Sequence, residues 1–109
     1  MSSSHPEIQL TDQAANDVLM ILSHTQKVWG DVQRHRYLQL ITEAFQRIRD
    51  FPLIGTIDNP ARPSIRRRGI EHHLCFYEIL ESGDILVLRV LHKRMELSNW
   101  ETVEWATEE

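Results

Sequence analysis

EHHLCFYEILESGDILVLRVLHKRME, residues 71–96, decides how this chain folds. Two β-forming runs, Glu71 to Leu80 and Asp84 to His92, flank ESGD, whose small polar residues suit a hairpin turn. A two-residue turn at Ser82 and Gly83 sets Tyr77 opposite Leu88, Cys75 opposite Val90 and His73 opposite His92. One face then carries Cys75, Tyr77, Ile79, Leu86, Leu88 and Val90, and is expected to receive the covering helices. The other carries Leu74, Phe76, Glu78, Val87, Arg89 and Leu91. The second run does not end as it begins. Arg89 interrupts its apolar residues, and His92, Lys93 and Arg94 follow at once, so this strand is half core and half display.

Working back from the hairpin, Ser64 to Arg68 reads as a further strand. Leu53 to Pro63 is broken by Gly55, Asp58, Asn59, Pro60 and Pro63 and is expected to be a loop. Upstream, the periodicity changes to that of helices. Ala15, Val18, Leu19, Leu22 and Trp29 form one apolar stripe from about residue 12 to 28, with Thr11 as N-cap and Gly30 as the left-handed stop. Asp31 is expected to cap a second helix with Tyr37, Ile41, Ala44, Phe45 and Ile48 on one face, ended by Pro52. So short a turn forces the two helices antiparallel. Residues 1–6 read as a loose leader and Glu7 to Leu10 as a short strand. Ser98 and Glu101 have capping-box spacing, which predicts a short last helix bearing Trp100, Val103 and Trp105. The expected fold is α+β, one domain over residues 1–109: an N-terminal antiparallel helical hairpin packed on a small antiparallel sheet, with residues 97–109 as a C-terminal extension.

Composition bounds the function. With 41% hydrophobic and 26% charged residues the chain is of ordinary globular type. Its net charge of −4 opposes work on nucleic acid, which calls for a basic surplus, although Arg66, Arg67 and Arg68 make a local basic run. The lone Cys75 permits no internal disulfide, and no signal peptide or membrane span is visible, so a cytoplasmic protein is expected. His73, Cys75 and His92 are zinc-ligand types on one predicted face, but a fourth ligand is lacking, and neither metal nor cofactor is expected. Three consecutive arginines alternate across a strand: as a group they either guard its edge or contact a partner. Arg89 needs solvent or a carboxylate, and Glu78 on the neighbouring strand is the nearest candidate. Ala14, Met20 and Ile21 widen the apolar arc of the first helix beyond one stripe, so a second surface is expected there. With Trp100 and Trp105 they are candidates for a partner groove.

Four blocks carry a resemblance. They are the Trp29-Gly30 step in VWGDVQRHRY (28–37), PLIG (52–55), HLCFY (73–77) and RVLHKRME (89–96), in that order. Together they resemble the ParE/RelE superfamily of toxins from type II toxin–antitoxin systems, in its ParE branch, from about Thr11 to Glu96. One departure is that Arg66, Arg67 and Arg68 precede Gly69, where relatives often have Gly-x-Arg. The resemblance implies neutralisation by a cognate ParD-like antitoxin, in a hetero-oligomer of higher order, and DNA gyrase as the target, with no direct nucleic-acid or membrane contact. Arg66, Arg67, Arg68, Arg89, His92, Lys93 and Arg94 are then the expected target or antitoxin contacts, and no residue is catalytic. The alternative is a RelE-like ribosome-dependent messenger-RNA endonuclease, in which Tyr77, Arg89 and His92 would be catalytic. Against it stand the acidic balance and a C-terminus holding Glu101, Glu104, Glu108 and Glu109 where RelE relatives place basic residues. An inert binding relative is the third possibility, because a fold outlives its function.

Overall fold

A computed structural model of the protein describes residues 6–94. The chain runs β1 (Ile8–Leu10), α1 (Asp12–Trp29), α2 (Asp31–Asp50), a 3₁₀ turn (Pro52–Ile54), β2 (Thr56–Ile57), β3 (Ile65–Ile70), β4 (His73–Ile79) and β5 (Ile85–His92). The strands form one sheet in the order β1-β5-β4-β3-β2. Its β2 to β5 pairings are antiparallel, but β1 runs parallel to β5, so the sheet is mixed rather than purely antiparallel. The expected α+β fold with its helical hairpin stands. The last helix expected from Ser98 lies outside the described residues.

Local chemistry accounts for the element ends. Thr11 caps α1 by accepting the Ala14 N–H at 3.0 Å, and Gly30, at φ 94°, makes the backbone reversal between the helices that residues with a Cβ rarely adopt. Asp31 does not cap α2. Gly30 holds the N-cap position, and Asp31 Oδ1 instead accepts from Gln26 Nε2 across the helix junction. The expected loop holds a 3₁₀ turn and the two-residue strand β2, too short to show a period in the sequence.

The hairpin register is corrected in one instructive way. Leu80 N–H bonds the Asp84 carbonyl and Gly83 N–H the Leu80 carbonyl, so the turn is three residues long, with Gly83 at φ 95°. That shifts Tyr77 opposite Val87, not Leu88. A bulge then absorbs one extra residue of β5, and Cys75 opposite Val90 and His73 opposite His92 are restored as expected. Between turn and bulge the faces of β5 are exchanged: Ile85 and Val87 point to the helices, and Leu86 and Leu88 away.

The core between helices and sheet holds Ala14 and Leu22 of α1, Tyr37, Ile41 and Ile48 of α2, and Ile70, Cys75, Tyr77, Ile85, Val87 and Val90 of the sheet. Each large side chain buried there contributes roughly 1.5–3 kcal/mol. The buried stripe of α1 is rotated from the expected one: Ala14, Val18, Ile21 and Leu22 pack inward, while Leu19 and Trp29 are 64% and 68% exposed. Residues 18, 21 and 22 were equally good helical spacing, and periodicity alone does not choose between overlapping stripes.

Candidate functional site

The candidate positions lie where α1 meets β5 and where β5 ends. Strand β1 stops at Leu10, opposite Val87, so the next residues of β5 lose their ladder partner. Helix α1 replaces it with side chains. Thr11 N–H bonds the Val87 carbonyl, Thr11 Oγ1 donates to the Leu88 carbonyl at 2.9 Å, and Asp17 Oδ2 accepts the Val90 N–H at 2.9 Å. The same carboxylate takes Arg89 in a two-pronged pair, Nε at 2.8 Å and Nη2 at 3.0 Å. Arg89 therefore holds Asp17 rather than the expected Glu78, which accepts from Ser64. That hydrogen bond raises the guanidinium's already high pKa further. Asp17 was missed in the sequence, though it left a signal: a carboxylate three residues after Ala14 and four before Ile21, on the buried stripe.

Tyr77 is equally committed. Its side chain reaches out of the core under the PLIG turn, where its hydroxyl donates to the Pro52 carbonyl at 2.6 Å and accepts the Gly55 N–H at 2.9 Å. Gly55 must be glycine here because a Cβ would lie 2.5 Å from the Tyr77 hydroxyl and 2.8 Å from the Arg67 carbonyl. Arg66 closes the arrangement by donating to the Gly55 carbonyl at 2.7 Å. Two of the motif blocks are thus one physical lock.

At the far end of the sheet, His72 on the β3–β4 turn and His73 at the start of β4 meet His92 at the end of β5. His72 stacks on the His92 ring, and His73 meets it edge-on at 4.9 Å. Tyr37 spends its proton on the Ile70 carbonyl, and its oxygen accepts from His72 N–H and, by this count, from His73 Nδ1–H. Burial, then the neighbouring His92, His72, His24 and Lys93, pushes His73 down to about 4. His92 is also lowered, by burial and by Arg94, and its Nδ1 accepts the Arg94 N–H at 2.9 Å. His73 and His92 are therefore held mainly neutral at pH 7, and Lys93 and Arg94, both exposed, carry the positive charge of the strand end. Among the described residues no three His, Cys, Asp or Glu side chains, this histidine trio included, are placed to hold a metal ion, and Cys75 is buried in the core.

The expected contact residues thus divide. Lys93, Arg94 and His92 are exposed together at the end of β5. Arg66 braces the PLIG turn, Arg67 pairs with Asp58 at 3.2 Å, and Arg68 lines a groove between α2 and β3 with Glu43, Asp50 and Glu71. Ala14 and Ile21, expected in a partner groove, belong to the core, because the buried stripe of α1 runs through them. Of that set Met20 is exposed at 64%, and Trp100 and Trp105 lie outside the described residues. Exposed apolar residues missed in the sequence include Leu19 beside Met20, Val28, Trp29 and Val32 at the tip of the helical hairpin, and Phe51 and Leu53 after α2.

The motif residues are thus largely spent on the domain's own turns and bulge, while Lys93 and Arg94 at the strand end and Leu19 and Met20 on α1 stay exposed. Comparison with known proteins gives the family. Residues 8–97 match the family described as the ParE toxin of type II toxin–antitoxin systems, parDE, and the chain belongs to that family. It is 36% identical over 69 residues to Toxin ParE1 of Mycobacterium tuberculosis, spanning 63% of this chain and 70% of that protein. To Toxin ParE of Escherichia coli it is 28% identical over 94 residues, 81% of this chain and 85% of that one. In fold it is similar to a chain of the chromosomal ParDE toxin–antitoxin system of P. aeruginosa, with TM-score 0.68 and 20% identity, covering 83% of this chain and 98% of that one. A chain of the RelBE2 toxin–antitoxin complex of Mycobacterium tuberculosis follows at TM-score 0.59 and 15% identity, over 82% and 99%.

Proposed function

We propose that this ParE-family toxin inhibits DNA gyrase by binding it, and that a cognate antitoxin neutralises it. The observation that carries the reading is the fate of the three groups that RNA cleavage would need. Tyr77 hydroxyl is committed to Pro52 and Gly55, Arg89 to Asp17, and His92 has one ring nitrogen occupied by Arg94 N–H. A ribonuclease needs a base, an acid and a cation converging on one phosphate. Here Tyr77 and Arg89 brace different junctions of the fold. Lys93 and Arg94 supply the target or antitoxin contact, and the apolar positions Leu19 and Met20 on α1 extend the antitoxin seat. Purified protein assayed in parallel for gyrase supercoiling of plasmid DNA and for messenger cleavage in a translating extract tests this. Lost supercoiling with intact messenger is expected, and is expected to be relieved by K93A/R94A. Messenger cut at the ribosome overturns the gyrase reading, and no effect in either assay identifies an inert relative.

A further inference from the structure

Gly69 sits in mid-strand and needs no left-handed backbone, so its φ does not explain why it lacks a side chain. What stands in that space is Lys93. A Cβ on Gly69 would lie 3.4 Å from Lys93 Nζ and 3.7 Å from its Cε. From the end of β5 the lysine reaches past the start of β4 and lays its ammonium over the bare backbone of β3. There it lines a groove of about 470 Å³ with Ile54, Thr56, Arg68, Gly69 and Leu74. Among the described residues no carboxylate lines this groove, and neither Lys93 nor Arg68 has an ion-pair partner. The groove's third cation, Arg67, already holds Asp58.

The groove opens at an unfinished sheet edge. Strand β2 pairs only with Arg66 and Arg67, so among the described residues Arg68, Gly69 and Ile70 have a ladder partner in β4 alone. Arg68 and Gly69 also line a groove of about 500 Å³ on the helical side, with Leu40, Ala44 and Ile70 as its apolar wall. Its rim carries Glu43, Asp50 and Glu71, so an anion is favoured only on the Lys93 side. An extended peptide completes an open ladder with its own backbone and turns successive side chains to opposite faces, which a sugar–phosphate chain does not do. We propose that this edge recognises an extended protein segment that sets an acidic side chain against Lys93 and Arg68 and an adjoining apolar one against Leu40, Ala44 and Ile70. Gly69 is then a specificity-determining residue, because it gives Lys93 room to lie over the strand. The inference rests on the reading of Lys93 as a partner contact. Its test is direct binding rather than gyrase inhibition, so the two fail separately.

Backbone amide shifts of the full chain are followed as a capped Thr-Val-Glu-Val-Thr peptide is added. Its Thr-Val-Gln-Val-Thr counterpart, an oligoadenylate RNA and inorganic phosphate are compared with it. Expected are saturable shifts at Gly69, Ile70 and Lys93, with the glutamine peptide about tenfold weaker. Lys93→Met changes an exposed side chain, leaves the fold intact, and is expected to bind both peptides equally. Gly69→Val suits a strand but crowds the lysine out, so it is expected to lose the preference too. Gly69→Ala asks the flexible lysine end to give only slightly, and keeps it. No shift at these amides overturns the proposal, as does equal binding of the two peptides by the unaltered chain. So does a preference that survives Lys93→Met or Gly69→Val. Tighter binding of the RNA or of phosphate at the same amides also overturns it, and makes the groove a phosphate seat.

Discussion

Replacing Tyr77 with phenylalanine removes one oxygen and nothing else. The ring stays in a core where Tyr77 is 0% exposed, so no cavity or transfer term enters. What is lost is the donation to Pro52 and the acceptance from Gly55, at 2.6 and 2.9 Å. Each orphaned partner costs about 1–3 kcal/mol when it is cut off from water. Gly55 is buried, but Pro52 is only half-buried and water recovers part of its share, so a total of about 2–3 kcal/mol is expected. For a domain of this size that lowers Tm by roughly 10–20 °C. Urea unfolding of refolded protein measures it as a fall in midpoint at constant m. Adding Gly55→Ala to Tyr77→Phe must not rescue it, because the Arg67 carbonyl and the Tyr77 ring edge, each 2.8 Å from the new Cβ, remain in the way. Folded Tyr77→Phe protein should still poison its target at full strength. A stability loss below about 0.5 kcal/mol refutes the lock. Loss of activity in a variant with unchanged stability would return Tyr77 to a catalytic role.

At the α1–β5 junction, Asp17→Ala is expected to cost about 2–4 kcal/mol, since it strips a part-buried guanidinium and the Val90 N–H of their acceptor, whereas Asp17→Asn, which keeps an oxygen, should cost less; the two urea midpoints in the reverse order would sink the assignment. His73 titrates near 6.5 when unfolded but near 4 when folded, so the unfolded chain binds more protons between these values and stability falls as pH drops through that window. Half-exposure discounts the effect to about 1–2 kcal/mol between pH 7.5 and 5, and thermal melts of His73→Asn should show a flatter pH dependence; an unchanged slope argues that another group is responsible. Leu19→Ser with Met20→Ser should leave stability within about 0.5 kcal/mol, because both side chains are largely in solvent, while weakening capture of the antitoxin in a pull-down; a marked fall in Tm would place them in a core that the structure does not give them.

Much of this fold is legible in the residues. The helix ends followed from Thr11, Gly30 and Pro52, because each has a local chemical reason to stand where it does. The face of β5 was not legible near the turn. A three-residue turn in place of two, and a bulge at Leu88 that cancels it, leave the outer pairs untouched while exchanging the inner ones. The bulge survives because its backbone is satisfied by Thr11 and Asp17, more than seventy residues earlier, and no local pattern announces so distant a partner. The same reason hid the site. Arg89, Arg66 and Tyr77 have the side chains of functional residues, and only tertiary contacts reveal that their hydrogen bonds are already spent.

What is left open at the end of β5 fits the overall charge. A chain of net charge −4 has no long-range pull toward nucleic acid, and at physiological salt a local charge is felt over only about 8 Å. In the proposed function, Lys93 and Arg94 therefore act after contact, as specificity for an acidic patch on a protein, rather than as a funnel for a polyanion. The neutral state of His73 and His92 keeps that patch small at pH 7. On that proposal the toxin discriminates by the fit of exposed apolar surfaces such as Leu19, Met20 and the hairpin tip, with two cations to fix orientation. That combination suits a protein target and a protein antidote competing for nearby ground far better than it suits cleavage of RNA.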